Sequence, residues 1–219
     1  MADLIVHEMA PFTLLGGADV SPTVLKICLS RAPCVVAADG GADTALAAGL
    51  SPLAVIGDLD SVGAAARAAF ADRLHWIDDT NSTDFEKVLQ RTRAPLVLAA
   101  GFLGGRVDHT FSVLNTLARY PEAPVVLVND ADAVTLLTRP VTLDLPPNTR
   151  LSLLPMEAAE VTTTGLRWNL SAAAMQPAGL ISPSNAVVET PVTITPRGRV
   201  FLTVPLSALD VVTAAVHGQ

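Results

Sequence analysis

The sequence predicts an α/β fold: an N-terminal, mostly parallel, Rossmann-like sheet with helices on both faces over residues 1–130, then a C-terminal all-β sandwich over 131–219. Three observations predict it. As far as about residue 130, continuous apolar runs of four or five residues alternate with Ala-rich helical stretches, the pattern of strands buried on both faces by crossover helices. Beyond 131 the helical stretches vanish, Pro and Thr become frequent, and short alternating runs take over. Four acidic clusters directly follow four apolar runs, where an open sheet of this kind gathers its ligand-binding groups.

Phe12-Thr13-Leu14-Leu15 reads as the first strand, closed by Gly16-Gly17. Ser21-Pro22 is an N-cap and N1 pair opening a helix to about Arg31. Cys34 to Ala38 is the next strand, and a helix from Ala42 stops near Gly49, a C′ glycine. Leu53 to Ile56 is a strand, Gly63 to Asp72 a helix, Leu74 to Ile77 a strand, and Thr83 to Arg93 a helix capped by Ser82. Leu96 to Ala100, a helix from Asp108 to Tyr120, and Val125 to Val128 complete the first part. In the second part Val141 to Leu145, Arg150 to Leu154 and Val192 to Thr195 alternate as strands do, and Pro196-Arg197-Gly198-Arg199 turns into Val200 to Val204.

Half of the 219 residues are apolar, enough for a substantial core. A formal charge of −7 argues against a nucleic-acid binder, which needs a basic face, and against recruitment to an anionic membrane. Cys28 and Cys34 have no zinc-spaced partners and read as buried reduced thiols, so a cytoplasmic location is expected. The N-terminus, Met1 to Glu8, lacks the basic and apolar regions of a signal peptide. No apolar run approaches the roughly 18 residues of a spanning helix.

The chemistry concentrates between residues 39 and 109. Asp58 and Asp60, in Gly57-Asp58-Leu59-Asp60-Ser61, project to one face of an extended backbone about 6–7 Å apart, and could hold one ion or straddle two. Asp39-Gly40-Gly41 ends a strand with glycines that let a ligand approach the backbone. In Thr83-Asp84-Phe85-Glu86-Lys87, Asp84 and Lys87 share a helix face, one suited to metal and the other to phosphate. Lys26 and Lys87 are the only lysines among fourteen basic residues, so lysine is not used here by default. Gly101 to His109 contains Gly104, Gly105 and Arg106, amides and a guanidinium for an anion at a helix N-terminus, and then Asp108. Carboxylates gathered this closely repel one another unless a cation sits between them, and Mg²⁺ carrying a polyphosphate is the natural occupant. In the second part, Trp168 in Thr162 to Leu170 could stack on a flat ring.

These motifs, in this order, resemble the thiamine pyrophosphokinase family. Asp-Gly-Gly-Ala, Gly-Asp-Leu-Asp-Ser, Thr-Asp-x-x-Lys and Gly-Gly-Arg-x-Asp-His stand at 39–42, 57–61, 83–87 and 104–109. The second-part signature Thr-Thr-Thr-Gly-Leu-Arg-Trp-Asn-Leu stands at 162–170, and Ser-Asn at 184–185. The resemblance implies an enzyme that moves the pyrophosphoryl group of ATP to the hydroxyethyl oxygen of thiamine, releasing AMP. It implies that Asp58, Asp60 and Asp84 organise Mg²⁺ and the ATP phosphates, that Asp39 and Asp108 complete the acidic ring, and that Trp168 covers the thiamine rings with Ser184 and Asn185 nearby. It further implies a homodimer with sites between subunits. Arg167 stands where the family often has Lys, and Asp78-Asp79-Thr80-Asn81 where a Gln-containing segment is frequent. The residues alone leave open transfer to another, pterin-type alcohol, or a non-catalytic thiamine or nucleotide sensor.

Overall fold

A computed structural model describes residues 3–217; Met1 and Ala2, the start of the segment read as lacking a signal peptide, lie outside it. In chain order the elements are β1 (Val6–His7), β2 (Phe12–Leu15), α1 (Pro22–Leu29), β3 (Cys34–Ala38), α2 (Gly41–Ala47), β4 (Ala54–Gly57), α3 (Ala64–Ala69) and β5 (Leu74–Trp76). Then come α4 (Asp84–Arg91), β6 (Thr92–Arg93), β7 (Val97–Ala100), α5 (Val107–Arg119) and β8 (Val125–Val128). The remainder is β9 (Asp132–Leu137), β10 (Val141–Leu143), β11 (Arg150–Pro155), β12 (Ala159–Thr164), β13 (Ala173–Met175), β14 (Ser182–Ala186), β15 (Val192–Arg197), β16 (Val200–Pro205) and α6 (Leu209–His217). No helix among the described residues is long and apolar enough to cross a membrane.

The chain divides into two units, one of residues 1–116 with 127–130, the other of 117–126 with 131–219. In the first, β2 pairs with β7, and β3, β4 and β5 pair in that order, all in parallel. β2, β4 and β7 are buried at every residue, as strands covered on both faces must be. Ser21 caps α1, its hydroxyl accepting from the Val24 amide at 3.2 Å with Pro22 at N1, which removes one of the helix's orphan donors.

Two departures in this unit have local causes. The helix expected to run to Arg93 stops at Arg91, because Thr92 and Arg93 pair in parallel with Val6 and His7. Its cap is Thr83, which accepts from the Glu86 amide, while Ser82 turns away to donate to Asp79 at 2.6 Å.

In the second unit the order β14-β11-β16-β9 and the order β10-β15-β12-β13 are both antiparallel. β12 and β15 alternate buried and open residues along their length, so this sheet hides one face only. The unit is not all-β: α6 closes it. Among its described residues Leu209, Val212 and Val216 are buried, spaced as a helix stripe is, in a segment to which the sequence reading gives no element.

Backbone packing is tightest where the first unit's loops converge. A Cβ on Gly41, the first residue of α2, would stand 2.1 Å from the Leu15 carbonyl oxygen. Gly41→Ala is therefore expected to lower stability by about 1–3 kcal/mol in urea unfolding. Gly17→Ala, where a Cβ meets nothing within 4 Å, is the matched control and is expected to leave the midpoint in place.

Candidate functional site

Asp39 directly follows β3, and Asp58 follows β4, so the parallel pairing of those strands sets two carboxylates side by side at one sheet edge. Asp60 joins them through a turn and not through the extended backbone expected. Leu59 is left-handed at φ 65°, and the Asp60 amide donates to Asp58 Oδ1 at 3.3 Å. Oxygens of Asp39, Asp58 and Asp60 all lie within 4.8 Å of one another. A left-handed Leu costs of order 1–3 kcal/mol, and such strain concentrates at functional sites; Asp39 is left-handed as well, at φ 43°.

Asp84, first residue of α4, enters from above. Its Oδ1 accepts from the Asp58 amide at 3.3 Å. Gly57 makes this approach possible: a Cβ there would meet Asp39 Cβ at 2.9 Å and Asp84 Oδ1 at 3.0 Å. Sequence alone gives Gly57 no role beyond its place in Gly57-Asp58-Leu59-Asp60-Ser61, because the approach of Asp84 depends on the fold.

Lys87, expected as a phosphate ligand, is 1% exposed. Its ammonium donates to Asp58 Oδ2 at 2.8 Å and Asp84 Oδ1 at 2.9 Å. The lysine is thus already the internal counter-ion of two of the acids. The hydrogen bond from Lys87 holds the Asp58 carboxyl below its ordinary value. Burial works against the charged ammonium, but the bonds to both carboxylates outweigh it and raise the Lys87 pKa.

Asp39 has the opposite character. It is 5% exposed, its Oδ2 accepts from the Ser61 amide at 3.2 Å, and its Oδ1 has no hydrogen-bond partner. Burial, then the charge of Asp84, push its carboxyl upward. An unpartnered buried carboxylate oxygen is costly, and it faces two further carboxylates. Hard oxygen donors of this number and charge fit a divalent cation such as Mg²⁺.

The structure thus brings Asp39 together with Asp58 and Asp60, and engages Asp84 with Lys87. Asp43, in the first turn of α2, accepts from the Gly63 amide at 2.8 Å, a loop-bracing role.

The glycine segment before α5 is left-handed at Gly101, Gly104 and Gly105. The helix begins at Val107, so Asp108 lies inside its first turn and is not the cap. Arg106 and Asp108 pair with one another through Nε and Nη2, both well exposed. That pairing holds the Asp108 carboxyl below its ordinary value. Asp108 is not a member of the three-carboxylate group.

In the second unit Trp168 is 59% exposed, with the Arg167 guanidinium 5.7 Å from the ring centroid. Asn185 is buried and spends its amide on the same segment. Its Oδ1 accepts from the Trp168 amide at 3.2 Å, and its Nδ2 donates to the Trp168 carbonyl at 2.8 Å. Ser184, beside it, is exposed and left-handed at φ 54°. Asn185→Ala would strand two backbone groups, so a loss of about 1–3 kcal/mol in thermal or urea melts is expected. An unchanged midpoint would show that Asn185 does not brace the tryptophan.

An open α/β sheet whose carboxyl edge carries clustered carboxylates and a neutralising lysine is a geometry suited to holding a divalent cation with a polyphosphate. Residues 25–127 match the family model for the thiamin pyrophosphokinase catalytic domain, and residues 141–200 that for the thiamin pyrophosphokinase vitamin B1 binding domain. The chain belongs to the thiamin pyrophosphokinase family. It is 36% identical over 132 residues to thiamine pyrophosphokinase 1 of Arabidopsis thaliana, covering 53% of this chain and 49% of that protein. To thiamine pyrophosphokinase 1 of Oryza sativa subsp. japonica it is 33% identical over 178 residues, covering 71% and 66%. The match thus spans about half to two thirds of these relatives' length. Among solved structures, thiamin pyrophosphokinase from Candida albicans superposes with a TM-score of 0.77 at 15% identity, covering 91% of this chain and 92% of that one. The enzyme from Geobacillus thermodenitrificans gives 0.75 at 24%, covering 89% and 96%. At those identities the likeness is one of fold.

Proposed function

We propose that this chain is a thiamine pyrophosphokinase, moving the pyrophosphoryl group of ATP to the hydroxyethyl oxygen of thiamine with release of AMP. The observation that carries the reading is the group of Asp39, Asp58 and Asp60 with its orphaned Asp39 oxygen, set on a chain whose two halves match the two domains of one family. In this reading the first unit is the ATP- and Mg²⁺-binding catalytic part, and the second binds thiamine and dimerises.

Asp58 and Asp60, with Asp39, would hold Mg²⁺, and Asp84 steadies them through the Asp58 amide and Lys87. When bound, the ion neutralises charge on the phosphate oxygens as the bond to the β-phosphorus changes. The protein's part is placement: the acceptor hydroxyl must lie in line with the β-phosphorus, and catalysis of this type is mostly positioning and electrostatics. The hydroxyl proton needs a carboxylate. Asp58, Asp60 and Asp108 are the candidates for it; Lys87 and Arg106 hold the Asp58 and Asp108 carboxyls below the ordinary range, which makes those two weaker bases. Gly40, Gly41, Gly104 and Gly105, with Arg106, would bound the phosphates. Trp168, with Ser184 near it, would cover the acceptor's rings. The family's homodimer, with active sites between subunits, and a cytoplasmic location complete the proposal.

An acceptor panel tests it against transfer to another alcohol. Thiamine is expected to support AMP formation in the presence of ATP and Mg²⁺ while pterin-type alcohols do not, and the reverse preference would overturn the reading.

A further inference from the structure

Trp76 is 63% exposed in a chain with two tryptophans and 4% aromatic residues. Nothing in the proposed chemistry uses it, and open water is a costly place for an indole. Its position is not arbitrary. It ends β5, the outer strand in the order β3-β4-β5, and pairs in parallel register with Gly57. Registered residues of neighbouring parallel strands direct their side chains to the same face, about 4.8 Å apart. On Gly57 that face is the one where a Cβ would meet Asp39 and Asp84. Across three adjacent strands the row therefore reads: the buried carboxylate of Asp39, a glycine gap beneath Asp84, and an open indole.

We propose that Trp76 is a stacking platform for the flat heteroaromatic ring of a substrate held at the acidic site. The inference rests on the pyrophosphokinase reading, in which both substrates carry such a ring: the purine of the nucleotide donor and the cationic ring of the acceptor. Either presents a π-face to an indole, and the cationic one gains a cation–π attraction as well. By strand register the indole shares a face with Asp39 and Asp84, and it is outside the carboxylate group within reach of an ion, so it contributes to ring affinity and not to phosphate or metal affinity.

Calorimetric titration with Mg²⁺ present tests this on the wild-type protein, Trp76→Ala and Trp76→Phe. The probes are an unreactive ATP analogue, inorganic tripolyphosphate and thiamine. Trp76→Ala is expected to weaken one ring-bearing probe roughly tenfold or more, to leave tripolyphosphate within twofold, and Trp76→Phe to recover most of the loss. Weakening of the ATP analogue identifies the donor's base as the stacked ring; weakening of thiamine identifies the acceptor's. Unchanged binding of both overturns the proposal, and so does an equal loss for tripolyphosphate, which would mean that Trp76 only supports the site's shape. A wild-type protein that binds neither ring-bearing probe would overturn the pyrophosphokinase reading itself.

Discussion

Asp58→Asn is expected to lower turnover roughly 10³-fold while the protein still melts within a few degrees of the wild type. The substitution keeps the shape of the side chain and removes one charge from the three-carboxylate group of Asp39, Asp58 and Asp60. A loss of that size corresponds to about 4 kcal/mol of transition-state stabilisation, the scale of a preorganised electrostatic contact. The fold survives because Lys87 keeps Asp84 as a partner at 2.9 Å and because Asp58 is itself partly open, its side chain 42% exposed. Steady-state rates with circular dichroism melts check both halves. A fall of less than tenfold would remove Asp58 from the chemistry.

Lys87→Met acts in the other direction, on stability before activity. It withdraws the cation from between Asp58 and Asp84 and leaves their charges facing each other near buried Asp39. Removing one member of a buried pair costs about 3–5 kcal/mol, and the partial exposure of both carboxylates brings the expected loss in metal-free buffer to about 2–3 kcal/mol. Mg²⁺ should return part of it by supplying the missing positive charge to the folded state alone.

The pH dependence has a definite sign. The Asp58 carboxyl is lowered in the folded protein, so its contribution is present above the ordinary Asp value of about 4 and is lost as pH falls through the lowered one. The Lys87 ammonium is raised, so its contribution is present below the ordinary Lys value of about 10 and is lost only as pH rises past the raised one. In Lys87→Met the acid limb is expected to flatten. Urea unfolding in EDTA, with and without Mg²⁺, reads all of this. Equal stability of variant and wild type in EDTA would show that the ammonium is not the site's counter-ion.

Much of the fold was legible because its signals are local. Cys34–Ala38 and Val125–Val128 are unbroken apolar runs, and Phe12–Leu15 is interrupted only by Thr13, each with turn residues or Pro near its ends; Ser21-Pro22 marks a helix start by its own chemistry. What escaped depends on distant partners or on weak periods. Strands β1 and β6 are two residues each and exist through pairing with one another. Helix α6 is a short apolar segment, Leu209–His217, without a cap signal such as Ser21-Pro22, and the all-β expectation for this half leaves it without an element.

The site divides in the same way. The acids stand out by their place after strands, and the Asp84–Lys87 spacing is a helix turn. The contact of Lys87 with Asp58 spans 29 positions, and no local pattern announces it. Nor does sequence announce that Leu59 turns left-handed, since a bulky residue rarely does so. Trp76 shares a face with Asp39 and Asp84 only once the β4–β5 register is known.

One measurement bears most directly on the central claim. The protein is incubated with thiamine, ATP and Mg²⁺, and the nucleotides and thiamine phosphates are resolved. Pyrophosphoryl transfer predicts AMP and thiamine diphosphate in equal amounts, with no ADP formed. Thiamine monophosphate with ADP, or no thiamine product at all, would contradict it.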